Sequence, residues 1–402
     1  MKTQVGVIFG GRSTEHEISV ISANQAMHAF DKEKYDVVPL YLAKDGRMYT
    51  GQRLLDVDSY RDIPSMLKQC REVFFKPSFE DNTLYTTGKD IFGSTKLKKY
   101  GHVDVIVPVL HGSNVEDGVY QGLLQTLGVP FAGCDVLSSA NGMDKITMKM
   151  ILSSQGIPVV DYVWLTDYDW QKNRDSVIDR IESELGYPVI VKPANLGSSV
   201  GIGKASDRQQ LIECVNDAEK YSSRIIVEHL IENLREINCS VLGDCEECRS
   251  SVPEEPIRSG EFLSYSDKYL GGGKSTKGMQ SASRRIPADL DRETTDRVGY
   301  LARETFRVLG CHGVSRIDLM MDENDGKLYV NEINTIPGSL SFYLWEASGL
   351  TFTELMNELV RLALKRNRHN KSKTLSFDQN IFAMGSFGST GKKGAKAVKT
   401  SH

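Results

Sequence analysis

Short apolar runs alternate with amphipathic stretches through the first third of the chain. QVGVIFGG predicts a strand ending in glycines, and STEHEISVISANQAMHAF follows with helical spacing, Ser13 or Thr14 being placed to cap it. YDVVPLYLA and HVDVIVPVLHG predict further strands, and EDGVYQGLLQTLG a helix closed by Gly128. Such alternation predicts a parallel α/β sheet whose ligands sit off the carboxyl ends of its strands. GGRSTEHE and HGSNVEDG both fall there, after an apolar strand and before a helix.

Beyond residue 136 the pattern changes. DKITMKMILSSQ predicts a helix, IPVVDYVWL a strand and QKNRDSVIDRIESELG another helix. YPVIVKPA, SVGIGKA, RIIVEHLI and REINCSVLG then predict mostly antiparallel strands around one helix, 207–220. A third region holds the helix DRETTDRVGYLARETFRVLG, the pair GVSRIDLMMD and KLYVNEIN joined by an ENDG turn, and a last helix, TFTELMNELVRLALKR. The expected organisation is an α/β unit over 1–136, an α+β unit in two parts, 137–225 and 226–370, and a disordered Gly-, Ser- and Lys-rich tail, 371–402.

Composition narrows the class. Of 402 residues, 40% are hydrophobic and 25% charged, as in ordinary globular proteins, and a net charge of -4 argues against a nucleic-acid partner. Seven scattered cysteines suit thiols in a reducing compartment, and MKTQVGVIFGG lacks the features of a secretory signal. No run approaches the ~18 apolar residues of a membrane span. A cytoplasmic enzyme of small molecules is expected.

The sharpest chemical signal is Asp318, Glu332 and Asn334. Residues two apart on a strand share a face, so Glu332 and Asn334 project together, and the hairpin brings Asp318 beside them. Oxygen donors of this kind suit Mg²⁺. Arg316 shares the face, and a plain ion pair is the competing reading. Lys192 ends the strand VIVK ahead of GSSVG, a pattern that fits neither GxxxxGK[ST] nor GxGxxG but suits an anion nest. GGGKST at 271–276 fails as a phosphate loop, because Lys268 stands where its first glycine belongs; a glycine-rich lid is the better reading. CEEC at 245–248 has no partner pair for zinc and reads as a hairpin loop. Glu228 and Glu236 flank the turn between two strands, where solvated glutamates are common. His16 and His111 are as a type more often structural than catalytic, but both follow strand ends.

Taken in order, GGRSTEHEIS, HGSNVEDGVYQG, MDK at 143–145, KPANLGSSVG, VEHLIENLREIN, SDKYL at 266–270 and GVSRIDLM…VNEINTIPG resemble the D-alanine–D-alanine ligases of the ATP-grasp superfamily. The resemblance spans residues 4 to about 365. It implies an ATP-grasp fold behind an N-terminal parallel α/β domain, with ATP between two antiparallel sheets and the Gly/Ser hairpin as a flap. Lys145, Lys192, Lys268 and Ser199 would contact phosphates, Glu228 the adenine amino group, Leu230 and Ile231 the ring, and Glu236 the ribose. Asp318, Glu332 and Asn334 would hold two Mg²⁺, with Mn²⁺ a possible substitute. Glu15 would bind the first D-alanine's ammonium near His111, and Ser198 and Tyr269 would join Glu15 beside the second amino acid. Arg316 and the Gly338 amide would stabilise the oxyanion. A cytoplasmic homodimer acting in peptidoglycan precursor synthesis, with no membrane partner, is the expectation by analogy.

Three departures stand out. Val115 replaces the usual glycine before Glu-Asp-Gly, and the segment GGGKSTKGMQSASRR is unusually basic. PGSLSFYLWEASGL is about four residues shorter than the stretch that normally gives a hydroxyl to the second substrate. Ser339, Ser341 or Tyr343 could replace that hydroxyl, and D-serine or D-lactate could replace the acceptor. A catalytically dead nucleotide-binding scaffold is the third reading, opposed by retention of the ATP, metal and oxyanion residues.

Overall fold

The computed structural model describes residues 1–197, 200–257 and 284–376. Ser198, Ser199, Lys268, Tyr269, the expected lid and the tail beyond 376 lie outside the described residues.

The N-terminal sheet contains β1 (Thr3–Gly10), β2 (Tyr35–Leu42), β3 (Met48–Thr50), β4 (Arg71–Phe75), β5 (Thr83–Lys89), β6 (Thr95–His102) and β7 (Val105–Val109), in the order β6-β5-β4-β3-β2-β1-β7. Only β2, β1 and β7 run parallel. The helix His16–Ala29 makes the crossover from β1 to β2, as a parallel pair requires. The sheet then continues antiparallel from β3 to β6, an extension that the apolar pattern did not disclose, since every residue of β6 is exposed. The first helix also starts later than expected. Ser13 Oγ accepts the Glu15 amide at 3.0 Å, so Glu15 occupies the N-cap position, and its side chain makes no capping bond.

The second sheet is antiparallel: β8 (Tyr162–Thr166), β9 (Val189–Pro193), β10 (Gly203–Ala205) and β11 (Arg224–His229), in the order β10-β9-β11-β8. Its apolar face packs Val189, Val191 and Val227 against Trp170, Ile178 and Ile181 of the helix Asp167–Glu184 and Leu211 and Val215 of Arg208–Ala218. The run REINCSVLG, grouped above with these strands, belongs instead to a third sheet. That sheet is β12 (Leu234–Gly243), β13 (Cys248–Ser250), β16 (Gly313–Asp322) and β17 (Leu328–Asn334), ordered β13-β12-β16-β17, with β14 (Glu255–Pro256) and β15 (Arg284–Arg285) paired beside it. The helix Arg292–Val308 covers it through Val298, Leu301, Ala302 and Phe306.

Two features lock the units together. The helix Phe352–Lys371, started by a Thr351/Glu354 capping box, buries Leu355, Met356, Leu359 and Val360 in the core of β1 and β7. At about 1.5–3 kcal/mol per buried side chain, that packing far exceeds what the cap contributes. Arg366 on this helix donates to the carbonyls of Phe131 (2.5 Å) and Gly133 (2.6 Å). The helix Val136–Met143 meets β17 through Gly142, where a Cβ would come 2.9 Å from Thr335 Cγ2. Among the described residues no helix is long and apolar enough to cross a membrane.

Candidate active site

The loops after β1 and β7 meet at the mouth of the N-terminal sheet. Gly112 has φ +85, and a Cβ there would collide with Ser13 Oγ. Val115, the residue that departs from the expected glycine, is buried over Gly11, where a Cβ would lie 2.6 Å from its Cγ1. Glu15 is 8% exposed, and its Oε1 stands 3.5 Å from the position of a Cβ on Gly197, at the start of the Gly/Ser hairpin. The segments GGRSTEHE, HGSNVEDG and NLG therefore share one space.

His111 lines the same space. Its Nε2 meets Ser22 Oγ at 3.1 Å, and burial lowers its pKa to about 4 against the opposing effect of the Ile336 backbone, so the ring is neutral. Ser22 also accepts the Ser339 amide at 2.9 Å, and Ser339 Oγ donates to Gln25 at 2.7 Å. Gly338 opens this turn. Ser339, Leu340 and Ser341 follow with φ of +51°, +53° and +51°, three successive non-glycine residues in the strained left-handed region. Glu116, which the sequence reading passed over, ties the turn down. Its Oε1 accepts the Ile336 amide at 2.9 Å and its Oε2 the Gly112 amide at 3.1 Å. Burial, reinforced by Glu15, pushes its pKa up to about 8.

The third sheet supplies the acidic face. Asp318 lies opposite Glu332, and Arg316 opposite Asn334. Directly opposed residues of an antiparallel pair share a face, so these four side chains do. The register shifts between Asp318 and Leu319, which leaves Asn331 as an extra residue in β17 and keeps Leu319 and Val330 in the core. Arg316 and Asp318 form the ion pair that the competing reading foresaw, and Asn334 Nδ2 donates to Asp318 Oδ2 at 3.1 Å. Burial works against the Arg316 charge, but Asp318 outweighs it and holds the guanidinium's pKa well above its usual value.

Lysines bridge this face to the second sheet. Lys145, at the start of the helix Lys145–Ser154, reaches Glu332 Oε2 (3.1 Å) and the Leu196 carbonyl (2.8 Å). Lys192 on β9 donates to Glu228 Oε2 (2.7 Å) and to the bulged Asn331 (3.3 Å). Glu228 is buried. Burial alone would raise its pKa, but Lys149 and Lys192 outweigh that and lower it to about 2. Leu230 and Ile231 are half-buried in the connection from β11 to β12, and Glu236 is half-buried on β12. Lys149 was missed, although its signal existed: it stands four residues after Lys145, on the helix's buried face. Glu254 was missed too, with no local signal; it binds Asn238, Tyr343 and Arg284.

Other singled-out residues are structural. His16 is spent on the Gly11 carbonyl (2.6 Å) and Tyr41 (3.0 Å) inside the first core. CEEC forms the β12–β13 turn, where Asp244 Oδ1 accepts the amides of Glu246 and Glu247. All seven cysteines are free thiols.

Two antiparallel sheets, joined where Lys192 of one reaches Asn331 of the other and where Lys145 of the neighbouring helix meets Glu332, stand behind an α/β unit and make this an ATP-grasp fold. Family models described as D-ala D-ala ligase N-terminus and C-terminus match residues 4–134 and 151–361. The chain is 42% identical over 377 residues to a D-alanine–D-alanine ligase of Caldicellulosiruptor bescii, covering 92% of this chain and 98% of that one. Among solved structures, a D-alanine–D-alanine ligase from Coxiella burnetii superposes with TM-score 0.75 at 30% identity, over 92% of this chain and 96% of that one. A D-Ala:D-Ser ligase from Enterococcus faecalis matches with TM-score 0.75 at 30% identity, over 90% and 100%. The chain belongs to the D-alanine–D-alanine ligase family.

Proposed function

We infer that the chain joins two D-alanines into D-alanyl-D-alanine at the expense of ATP, for peptidoglycan precursor synthesis. A carboxylate is a poor electrophile, and its oxygen is a poor leaving group. Transfer of the γ-phosphoryl group of ATP to the first D-alanine makes an acyl phosphate and ADP. The neutral amine of the second D-alanine attacks its carbonyl carbon, a tetrahedral oxyanion forms, and phosphate departs.

The observation that carries this reading is the convergence of Lys145, Lys192, Arg316, Asp318 and Glu332 on one face between two sheets. We assign the first substrate to the 1–136 unit, with Glu15 on its ammonium and neutral His111 nearby, and the nucleotide to the cleft between 137–225 and 226–370. Lys145 and Lys192, joined by Lys268 and Ser199, take the phosphates, Glu228 the adenine amino group, Leu230 and Ile231 its ring, and Glu236 the ribose. Arg316 and the Gly338 amide face the oxyanion, an interaction commonly worth about 3–4 kcal/mol. Ser198 and Tyr269 complete the acceptor side with Glu15.

Asp318, Glu332 and Asn334 fit a hard cation, because all are oxygen donors and two already hold cationic side chains against them. Two Mg²⁺ held there would neutralise phosphate charge during transfer. A cytoplasmic homodimer is the working assembly by analogy with the family.

A mixed ligase is the second reading, favoured by one feature. The stretch that normally gives the acceptor's carboxylate a hydroxyl is short here. Of the three hydroxyls offered in its place, Ser339 Oγ donates to Gln25 and Tyr343 to Glu254, leaving the buried Ser341 Oγ. Phosphate release with ATP, Mg²⁺ and D-alanine alone supports the first reading. Release only when D-serine or D-lactate is added supports the second, and none with any pair supports a non-catalytic scaffold.

A further inference from the structure

Behind Glu228 lies a cation that the chemistry above does not use. Lys149 Nζ stands 3.0 Å from Glu228 Oε1, and its side chain is fully buried. Lys192 already neutralises the same carboxylate through Oε2 at 2.7 Å. A second buried ammonium is therefore surplus to structural neutrality, and burial works against its charge. Met148 and Leu152 fill neighbouring core positions of the same helix with apolar side chains, so a lysine is not demanded by packing.

The two lysines differ in reach. Lys192 touches the facing sheet through Asn331 and keeps some exposure toward the cleft. Lys149 extends inward, to Glu228 and, at 6.0 Å, over the Tyr162 ring. When a polyphosphate draws Lys192 away, Glu228 needs another countercharge. Without one it stays as a buried lone anion facing an anionic ligand, or it takes up a proton. A protonated carboxyl donates a hydrogen bond, whereas an ionised one only accepts. That difference separates a 6-amino purine, which donates, from a 6-oxo purine, which accepts.

We propose that Lys149 is a positioning residue for the nucleotide: it is the permanent countercharge of Glu228, freeing Lys192 for phosphate and keeping Glu228 an acceptor selective for adenine. The proposal rests on the reading that ATP lies against Glu228 and Lys192.

The test compares ATP and ITP binding and KM in wild type and in Lys149→Met, Lys149→Arg and Lys192→Met, with KM for D-alanine alongside. Lys149→Met is expected to raise KM for ATP about ten-fold or more and to narrow the ATP-to-ITP preference. KM for D-alanine should hold within about two-fold, and Lys149→Arg should restore most of the loss. An unchanged KM for ATP with an unchanged ATP-to-ITP ratio overturns the proposal, even if the melting temperature falls. If Lys149→Met does not fold, the pair Glu228→Gln and Glu228→Gln/Lys149→Met decides. With no carboxylate to balance, the added substitution should cost no further ATP affinity, and a further ten-fold loss contradicts the role. Unaltered ATP binding in Lys192→Met would instead show that the nucleotide lies elsewhere, and the site reading itself would fail.

Discussion

Arg316 grips Asp318 through two parallel hydrogen bonds, Nε to Oδ1 at 2.6 Å and Nη2 to Oδ2 at 2.8 Å, from two positions away on the same strand. The fork fixes the guanidinium plane as a single-point ammonium would not. Arg316→Lys and Arg316→Ala should therefore lower kcat by about 10²–10³ while nucleotide binding survives. Turnover at the wild-type rate in either variant would remove Arg316 from the chemistry.

Both proposed metal carboxylates already carry a cation, Arg316 on Asp318 and Lys145 on Glu332. Magnesium binding at this face has to displace or share those partners. Asp318→Asn and Glu332→Gln should each raise the Mg²⁺ concentration for half-maximal turnover by about ten-fold or more, and a chelator should stop the wild type. Direct titration with Mn²⁺, followed by its paramagnetic signal, checks the same ranking without turnover; equal affinities in all three proteins would contradict the assignment.

Ser22 joins the first helix to the strained turn, since its hydroxyl accepts the Ser339 amide and meets His111. Ser22→Ala leaves a buried donor without its acceptor, at a cost of about 1–3 kcal/mol. KM for D-alanine should rise and KM for ATP should stay. A rise in both would place the turn in general stability rather than in the amino-acid site.

Glu116 gives a pH test. Its pKa is raised from 4.5 to about 8, so the folded protein keeps a proton that the unfolded chain releases. Stability from this group is complete below about pH 4.5 and is lost as pH rises through 8. Glu116→Gln does not titrate, so wild type should lose melting temperature relative to the variant between pH 5 and 9. The comparison cancels His111, whose lowered pKa acts in both proteins. A difference that is flat with pH would show that Glu116 is ionised in the fold.

What the sequence disclosed was local. Val189–Pro193 and Gly313–Asp322 are continuous apolar or alternating runs, and Gly128 closes its helix with φ +69°. The pairing of Asp318 with Glu332 followed from strand period and a short turn. The bulge at Asn331 did not, because register is a property of two strands. Neither did the Ser22–Ser339 contact, which joins residues 317 apart. The start at His16 was misread because Ser13 bonds the Glu15 amide instead of capping a helix. The edge hairpin of β5 and β6 escaped notice because its second strand has no apolar face to bury.

Whether the cleft between the lysine-bearing and acid-bearing sheets activates a carboxylate by phosphorylation can be read from one isotope. D-alanine labelled with ¹⁸O in both carboxyl oxygens is incubated with the protein, ATP and Mg²⁺, and the products are weighed by mass spectrometry. One labelled oxygen should leave in inorganic phosphate for each dipeptide formed, the other remaining in the peptide carbonyl. Label confined to the amino acid, or transferred to AMP, would contradict an acyl phosphate at this site.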